Sequence, residues 1–519
     1  MSQLDKASQS GADQEFVKGL GLVSATTLVM GSMIGSGVFI VAADMARIVD
    51  SPALLIAAWL VAGFMTVVAA LSYGELAAMM PKAGGQYVYL REALGPLWGF
   101  LYGWTLFLVI QCGTIAAVGV AFGKFLGVFF PSVSSTHWIV HLWKVPPIPL
   151  GPMVLGNMEV GLNTQNLVAI AIIVLLSVVN IFGVKTGAIV QVVFTTAKVA
   201  GLLGLILLGI WAGTTAQGLH ANFGANFWLH AGLGALHKIP VGVSGATALV
   251  GTITVIAVAQ VGSLFSADAW NNVTFTAGEV RNPQRNLPLS LAVGTGAVIL
   301  IYVAVNFIYL LVLPLWGDPA SATVLGRGIQ YASEDRVATA VMQQIMGQSG
   351  AKLMAFAILV STFGCNNGLI LAGSRVYYAM ANDGLFFRSV GRLHPRYKTP
   401  HLSLMVQAIW ASILCLSGSY GQLLDYTIFA VLLFYILTLA GLFVLRRTHP
   451  DTPRPYRALG YPWLPAIYIV MALFIDIVLL LYKPQYTWPG LVIVLLGIPV
   501  YFLWSRHAGR TPACAAPAR

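Results

Sequence analysis

The stretch Gly31-Ser32-Met33-Ile34-Gly35-Ser36-Gly37-Val38-Phe39 lies in the middle of the first long apolar segment, residues 20–49. Three glycines and two serines, with two β-branched residues among them, are poor residues for a helix interior, since each glycine costs about 1 kcal/mol relative to alanine. One interpretation is that the glycines let two membrane helices pack closely. The other is that the helix is interrupted here, which requires the free backbone to face protein or a water-filled cavity.

An interruption at this point gives the backbone a chemical use. A half-helix that starts at Ser36 or Gly37 directs unpaired N–H groups and the positive end of its dipole at whatever occupies the cavity. These groups favour an anion, so the stretch predicts a receptor for a carboxylate.

The composition of the chain is that of a polytopic membrane protein. It has 519 residues, of which 58% are hydrophobic and 9% charged, and its mean hydropathy is +0.82, which exceeds what a soluble core can absorb. The net charge of +11 is explained by basic loops, so we expect no nucleic-acid partner. The four cysteines show no metal-binding spacing, and every histidine lies outside the predicted membrane cores. We therefore expect no metal site and no cofactor.

Twelve apolar runs approach or exceed the length of about 20 residues that a membrane helix needs. They are residues 20–48, 53–80, 97–128, 165–184, 186–212, 247–279, 289–314, 351–381, 402–418, 422–446, 461–482 and 488–505. Most Lys and Arg residues fall in the loops on the side of the two termini, which predicts that both termini are cytoplasmic. The aromatic and histidine-containing loops on the other side are interpreted as interfacial caps.

The sixth run repeats the anomaly of the first. Its centre reads Gly262-Ser263-Leu264-Phe265-Ser266-Ala267-Asp268-Ala269-Trp270-Asn271-Asn272, again small and polar. Interrupted helices at matching places in two halves of a chain indicate an inverted-repeat transporter whose binding site lies near the bilayer midplane. The first ten spans then divide into two repeats of five, and close packing alone no longer explains both stretches.

Lys198 lies near the middle of the fifth run. A lysine at this depth costs about 2.5 to 3.5 kcal/mol and requires a partner inside the bundle. The free carbonyl groups of the interrupted first helix are the natural partners. An ammonium held there performs the structural task of a sodium ion, which argues against sodium coupling; the alternative is a lysine in a wet crevice without a role.

Asp268 has two interpretations. It stands just ahead of the second half of the sixth helix, where aspartate is a preferred N-cap. It is equally suited to line the pocket, where it can attract an ammonium group or carry a coupling proton. Asn271 can hydrogen-bond a ligand, Trp270 is expected to pack as a wall, and Phe265 can lie across the pocket as a gate.

Several strings resemble the amino acid/polyamine/organocation superfamily, most of all the L-type amino acid transporters and their bacterial relatives. The similarity covers about residues 17–505. It is carried by residues 31–39, by the loop Pro81-Lys-Ala-Gly-Gly-Gln-Tyr-Val-Tyr-Leu-Arg-Glu-Ala-Leu-Gly-Pro96, by Trp270-Asn-Asn-Val-Thr-Phe-Thr-Ala-Gly-Glu-Val-Arg-Asn-Pro283, by Asn286-Leu-Pro-Leu-Ser290, and by Ser374-Arg-Val-Tyr-Tyr-Ala-Met-Ala-Asn-Asp-Gly384 with His394-Pro-Arg.

The resemblance implies an all-α, leucine-transporter-like fold of twelve transmembrane helices, with a 5+5 inverted repeat and broken helices 1 and 6. It implies sodium-independent amino acid transport, often by exchange. The substrate carboxylate would meet Ser36 and Gly37, and its ammonium would meet the carbonyls of Met33, Phe265 and Ser266, with Phe265 as the gate. By the same resemblance, Lys198 falls on the lysine that stands in for sodium and Asn271 on a polar pocket residue.

Two departures from the family pattern affect the expected partners and substrates. Residues 129–164 contain no cysteine, whereas animal members use one there to link a glycoprotein subunit. We therefore expect no disulfide-linked ancillary subunit, and a location in a prokaryotic inner membrane. Asp268 occupies a position at which family members differ, and Ala267 beside it is small, so both neutral and cationic amino acids remain possible substrates.

The predicted organisation has four parts. They are a cytoplasmic N-terminal segment (1–19), a ten-helix inverted-repeat core (20–446, with halves 20–212 and 247–446), two additional helices (461–505) and a cytoplasmic tail (506–519). The predicted function is secondary transport of α-amino acids by exchange, with a proton-coupled symporter as the alternative within the same class. A channel or a non-transporting amino acid sensor is the alternative from another class. No HExxH, Walker-type or nucleophile–histidine pattern points to an enzyme.

Overall fold

The computed structural model describes residues 16, 18–146, 148–150, 153–155, 158–213, 217–229, 248–416 and 420–508. Most of the predicted N-terminal segment and the tail beyond residue 508 lie outside the described residues. The described chain is mostly helical, as the hydropathy pattern predicted.

The described chain contains eighteen α-helices, a π-helical segment at Leu106–Ile110, short 3-10 helices and four short strands. The helices are α1 (Leu22–Met33), α2 (Gly37–Val49), α3 (Pro52–Met79), α4 (Gln86–Leu94), α5 (Pro96–Thr105), α6 (Gln111–Leu126), α7 (Thr164–Ile181), α8 (Val184–Gly213), α9 (Gln217–Asn222), α10 (Ala248–Ser266), α11 (Asn272–Phe275), α12 (Pro283–Val312), α13 (Val324–Arg327), α14 (Val337–Asn382), α15 (His401–Cys415), α16 (Tyr420–Thr448), α17 (Trp463–Tyr482) and α18 (Pro484–Ala508). The strands are β1 (Trp138–Val145), β2 (Ile148–Leu150), β3 (Met153–Leu155) and β4 (Met158–Asn163).

Ten segments of the described chain are long and apolar enough to cross a membrane. The sixth and ninth of the twelve predicted runs are represented by the shorter apolar helices Gly251–Ser266 and His401–Cys415. A broken helix is necessarily short on each side of its break, which explains why the sixth run gives only a short helix. The protein is therefore a multi-pass membrane protein with about ten full-length spans.

The first broken helix lies at the centre of the bundle. In the most apolar part of α1–α2, 83% of residues are buried, against 28% for α8 and 22% for α18. Helix α1 packs against α8, α12 and α14, while α2 packs against α10. The interrupted backbone is thus enclosed by protein, the condition under which unpaired backbone groups are tolerated in a membrane.

Two buried carboxylates fix the ends of several spans. Glu75 accepts hydrogen bonds from Arg446 at 2.6 Å and from the Ala458 backbone N–H at 2.7 Å. Glu279 accepts from Arg375 at 3.0 Å, and both side chains of this pair are at most 1% exposed. Such pairs hold neighbouring helices in one register because separating them would leave a charge buried and unpaired.

The loop between α6 and α7 contains a structure that the sequence interpretation missed. Strands β1 and β4 pair antiparallel, and β2 and β3 form the distal hairpin. The pattern was read only as interfacial caps, because two register irregularities interrupt the alternation along β1.

Candidate functional site

The first interruption falls between α1 and α2, at Ile34, Gly35 and Ser36. The Ile34 backbone leaves the helical region at ψ 83°, and the Gly35 N–H turns back to donate to the Met33 carbonyl at 2.8 Å. Helix α2 starts at Gly37. Since these residues no longer extend a continuous helix, the carbonyl groups before the break need partners from elsewhere.

The Lys198 ammonium group supplies one set of partners. Its Nζ donates to the Gly31 carbonyl at 2.9 Å and to the Ile34 carbonyl at 2.7 Å, and the side chain is only 1% exposed. This contact was expected from the depth of the lysine in its span. Two carbonyl oxygens on one ammonium are charge-assisted hydrogen bonds, which are stronger than neutral ones.

The other donors come from α12 and α14. Every carbonyl from residue 31 to residue 35 accepts a side-chain hydrogen bond, so the carbonyl groups of the interruption are satisfied by protein. Besides Lys198, the donors are Cys365 to the Ser32 carbonyl (3.1 Å), Tyr302 to Met33 (2.8 Å), and Ser361 to both Ile34 (3.1 Å) and Gly35 (3.2 Å).

The second interruption separates α10, which ends at Ser266, from α11, which starts at Asn272. Ala269 within it adopts a positive φ of 64°, a backbone conformation that non-glycine residues rarely take. Asn271 occupies the N-cap position of α11. The interpretation of Asp268 as the N-cap of this half-helix is therefore wrong; its Oδ1 instead accepts a hydrogen bond from the Tyr435 hydroxyl at 2.5 Å.

Polar and aromatic contacts fix the neighbours of Asp268. The Asn271 amide donates to Gln86 Oε1 at 3.0 Å, and the Gln86 amide donates to the Thr438 hydroxyl at 3.0 Å. The Trp270 ring centroid lies 4.7 Å from that of Tyr73, and the indole is 2% exposed. Trp270 thus packs as a wall, while Asn271 is held by α4.

The two interruptions are in direct contact. A Cβ atom added to Gly37 would lie 2.3 Å from Ser266 Oγ and 2.9 Å from Ser266 Cα. Only glycine permits this approach of α2 to α10. The N-terminus of α2 and the C-terminus of α10 are therefore pressed together in this conformation.

A cavity of about 340 Å³ lies beside the second interruption. Of the residues proposed from sequence, Asp268 and Asn271 line it. The other lining residues are Gln86, Tyr102, Leu106, Ile110, Gln111, Thr114, Ala269, Asn272, Phe275, Leu369, Val431 and Tyr435.

The remaining sequence-predicted residues lie outside this cavity lining. All six are buried, and the five other than Gly37 are at most 7% exposed. They are Met33, Ser36, Gly37, Lys198, Phe265 and Ser266. Of these, Gly37 and Ser266 are in contact where the two breaks meet, and Lys198 is hydrogen-bonded to carbonyls of the first break.

A second cavity of about 280 Å³ lies across the Asp268–Tyr435 pair, and Ala267, Trp270 and Tyr468 are among its lining residues. Asp268 and Tyr435 line both cavities and form part of the wall between them. A small residue at position 267 leaves this second space open.

Sequence reasoning missed several residues of the site. Tyr302, Ser361 and Tyr435 are polar groups within long apolar runs, and nothing in the pattern distinguishes them from packing residues. Gln86 lies within the quoted loop string between residues 81 and 96, which was the available signal.

Polar contacts link neighbouring elements at both ends of the bundle. At the end of α2, Arg47 donates to the Gln330 carbonyl at 2.7 Å and to Asp335 at 2.8 Å. At the opposite end, Tyr87 donates to Asp383 at 2.7 Å, and Arg91 pairs with the same carboxylate. Burial, together with the Asp383 charge, raises the pKa of the Tyr87 hydroxyl, so it remains a neutral donor.

Comparison with known proteins gives one family. A family model described as amino acid permease matches residues 20–502, which is nearly the whole chain.

Individual relatives agree with the family match. The serine/threonine exchanger SteT of Bacillus subtilis is 28% identical, over 94% of this chain and 97% of the relative. The large neutral amino acids transporter small subunit 2 of Homo sapiens is 29% identical, over 96% and 82%. The b(0,+)-type amino acid transporter 1 of Mus musculus is 27% identical, over 94% and 88%.

Proposed function

Since the chain belongs to the amino acid permease family, within the amino acid/polyamine/organocation superfamily, we propose that it exchanges α-amino acids across a cytoplasmic membrane. It does so without sodium, by alternating access around its two broken helices. The relatives are transporters, which supports the function of a transporter rather than of an enzyme.

The proposed sodium independence is supported mainly by the contact of Lys198 with the first interruption. A sodium ion at a broken helix is coordinated by carbonyl oxygens, and here the Gly31 and Ile34 carbonyls already receive a fixed ammonium. The positive charge is supplied by the chain itself, so no cation needs to enter with the substrate.

The proposed substrate site joins the two interruptions. The carboxylate binds to the backbone N–H groups at Ser36 and Gly37, at the positive end of the α2 dipole. The ammonium binds to carbonyls of Met33, Phe265 and Ser266. Because Gly37 and Ser266 are pressed together in this conformation, α2 and α10 must separate to admit a substrate backbone.

The substrate side chain then extends into the cavity beside Asp268 and Asn271. Phe265 acts as the gate over the bound substrate. The Met33 carbonyl already accepts from Tyr302 and from the Gly35 N–H, so one of these two hydrogen bonds must be replaced when the ammonium binds.

The proposed topology has twelve spans. The ten full-length candidates and the two shorter apolar helices together account for them. Ten form the 5+5 inverted repeat, α17 and α18 are the additional pair, and both termini face the cytoplasm. No disulfide-linked subunit is part of the proposal.

A proton-coupled symporter is the second candidate, and one observation favours it. The Asp268 carboxylate is partly buried between two cavities, with the Tyr435 hydroxyl as a donor 2.5 Å away. A carboxyl group in such a place can exchange a proton with water in the cavity. In that case Asp268→Asn abolishes the pH-driven component of uptake and leaves exchange intact.

Uptake of radiolabelled amino acids into liposomes tests the proposal. The vesicles contain purified protein and are preloaded either with unlabelled amino acid or with buffer alone. The exchanger predicts uptake only into preloaded vesicles, equal in sodium and choline salts. Uptake into empty vesicles driven by an inward proton gradient would instead support the symporter, and a requirement for sodium would refute the role assigned to Lys198.

A further inference from the structure

The hairpin between α6 and α7 has one polar face and one apolar face. Residues that pair across strands project to the same face, and successive residues along β4 alternate between faces. The pairs on one face are Val140 with Leu162 and Trp143 with Val160. Those on the other are His141 with Gly161, Lys144 with Glu159, and Trp138 with Asn163, where the Trp138 ring packs on His141 at 4.9 Å between centroids.

The polar face is internally paired. Lys144 Nζ lies 3.5 Å from one Glu159 oxygen, and His141 Nε2 lies 4.0 Å from the other. These contacts confirm the register, since all three side chains must lie on one side of the ribbon to make them.

The apolar face is largely uncovered within the described chain. Trp143 is 67% exposed and Val140 is 47% exposed. The register irregularities place two further apolar residues on the ribbon, Ile139 and Leu142, which are 49% and 63% exposed. A two-stranded ribbon is marginally stable in water, so an exposed apolar face of this kind indicates an interaction surface.

The attachments of the hairpin hold it close to the ends of the spans. Strand β4 runs directly into α7, where the Asn163 side chain caps the helix by accepting from the Asn166 N–H at 2.8 Å. The Gly161 N–H donates to the Leu416 carbonyl, immediately after α15, at 3.1 Å. Strand β3 packs against α18. The ribbon is therefore tied to three membrane helices at both its base and its distal end.

We propose that the apolar face of this hairpin inserts into the lipid headgroup region, so that the hairpin is a membrane-surface anchor. The hairpin runs directly into α7, on which Leu167 is 46% exposed. An exposed tryptophan beside a lysine suits the interface, where one end of the side chain is apolar and the other is hydrated.

Spin labels at two adjacent residues test this assignment in the full-length protein in lipid nanodiscs. One variant carries Val140→Cys, on the apolar face, and its matched control carries His141→Cys, on the polar face; both also carry Cys514→Ser. The remaining cysteines are buried and do not compete for the label. Trp143 is retained in both variants.

The readout is the collision rate of each label with oxygen, which concentrates in lipid, and with a water-soluble nickel chelate. We expect oxygen to dominate at position 140 and the nickel chelate to dominate at position 141. Dominance of the nickel chelate at both positions would overturn the proposal, as would dipolar broadening that disappears on dilution with unlabelled protein, because a second copy would then cover the face.

Quenching by brominated lipids provides a second readout that needs no cysteine variant. The fluorescence lost on Trp143→Phe substitution, taken as the difference from the wild type, is expected to be quenched by lipids brominated near the headgroup. An unquenched difference spectrum would contradict the anchor. Neither experiment depends on transport, so their outcome is independent of the proposed function.

Discussion

The two interrupted helices are built from similar residues, but the surroundings of the two breaks differ. At the first break, each carbonyl from residue 31 to residue 35 accepts a hydrogen bond from a side chain of α8, α12 or α14. At the second, Asp268 and Asn271 line the cavity instead. The carbonyls of the first break are thus held by fixed donors, whereas the second break presents the side chains of Asp268 and Asn271 to a cavity.

This difference separates two kinds of mutational effect. If the proposed site is correct, changes at the first break should affect all substrates equally, because the proposal places there the groups that every α-amino acid shares. Changes at the second should depend on the substrate side chain, because the proposal places that side chain in the adjacent cavity.

Substitution of Gly37 by valine should have the largest effect among these variants. Its Cβ atom would overlap Ser266, whose Oγ lies 2.3 Å away, and overpacking of this kind costs about 1–3 kcal/mol or more. We expect the exchange rate to fall by about 100-fold for every substrate.

Gly204→Val is the matched control for this variant, since no atom lies within 4 Å of a Cβ added at Gly204. Both proteins are compared by counterflow in preloaded liposomes after gel filtration has verified that they are folded. Equal losses in the two variants would show that the contact between the breaks has no special role.

Loss of a neutral donor at the first break should have a smaller effect. Tyr302→Phe removes one of the two donors to the Met33 carbonyl, which still accepts from the Gly35 N–H, and the loss of one hydrogen bond costs about 0.5–1.5 kcal/mol. We expect a lower melting temperature and a fall in exchange of about tenfold, the same for large and small substrates. A change confined to one substrate would contradict the assignment of this break to the shared groups.

Asn271→Ala tests the second break in the same way. The variant removes an amide that lines the cavity and donates to Gln86. We expect KM to change by about tenfold for some amino acids and to remain unchanged for others, with a nearly constant kcat. A uniform loss across a panel of neutral and cationic amino acids would instead show that Asn271 affects the groups that all substrates share, as the first break is expected to do.

Cys365→Ser should have the smallest effect. A serine hydroxyl can replace the thiol that donates to the Ser32 carbonyl at 3.1 Å. We expect exchange within about twofold of wild type for all substrates. Inactivation of this variant would indicate a role for the thiol beyond that of a donor.

The sequence was sufficient to predict the features of the two breaks that depend on local composition. Glycine, serine and asparagine in an apolar run are poor helix formers, so both interruptions were predictable, and the depth of Lys198 in its span predicted its partners. The same reasoning located Asp268 but assigned it one role, N-capping, that the backbone does not allow, because α11 starts four residues later.

The donors at the first break and the walls of the cavity were not predictable. Tyr302, Ser361 and Tyr435 meet the breaks only because helices distant in sequence pack beside them, and apolar spans carry no pattern that sets their mutual rotation. The hairpin was missed for a local reason, since its register irregularities disrupt the alternation by which a strand is recognised.

Exchange by Lys198→Met, measured as counterflow without sodium, tests most directly the claim that a fixed ammonium serves the first break. The substitution removes two charge-assisted hydrogen bonds, worth about 1.5–3 kcal/mol each. We predict that exchange falls at least about 100-fold for every amino acid, while Lys198→Arg retains part of the activity. A folded Lys198→Met protein that exchanges at the wild-type rate would contradict the account.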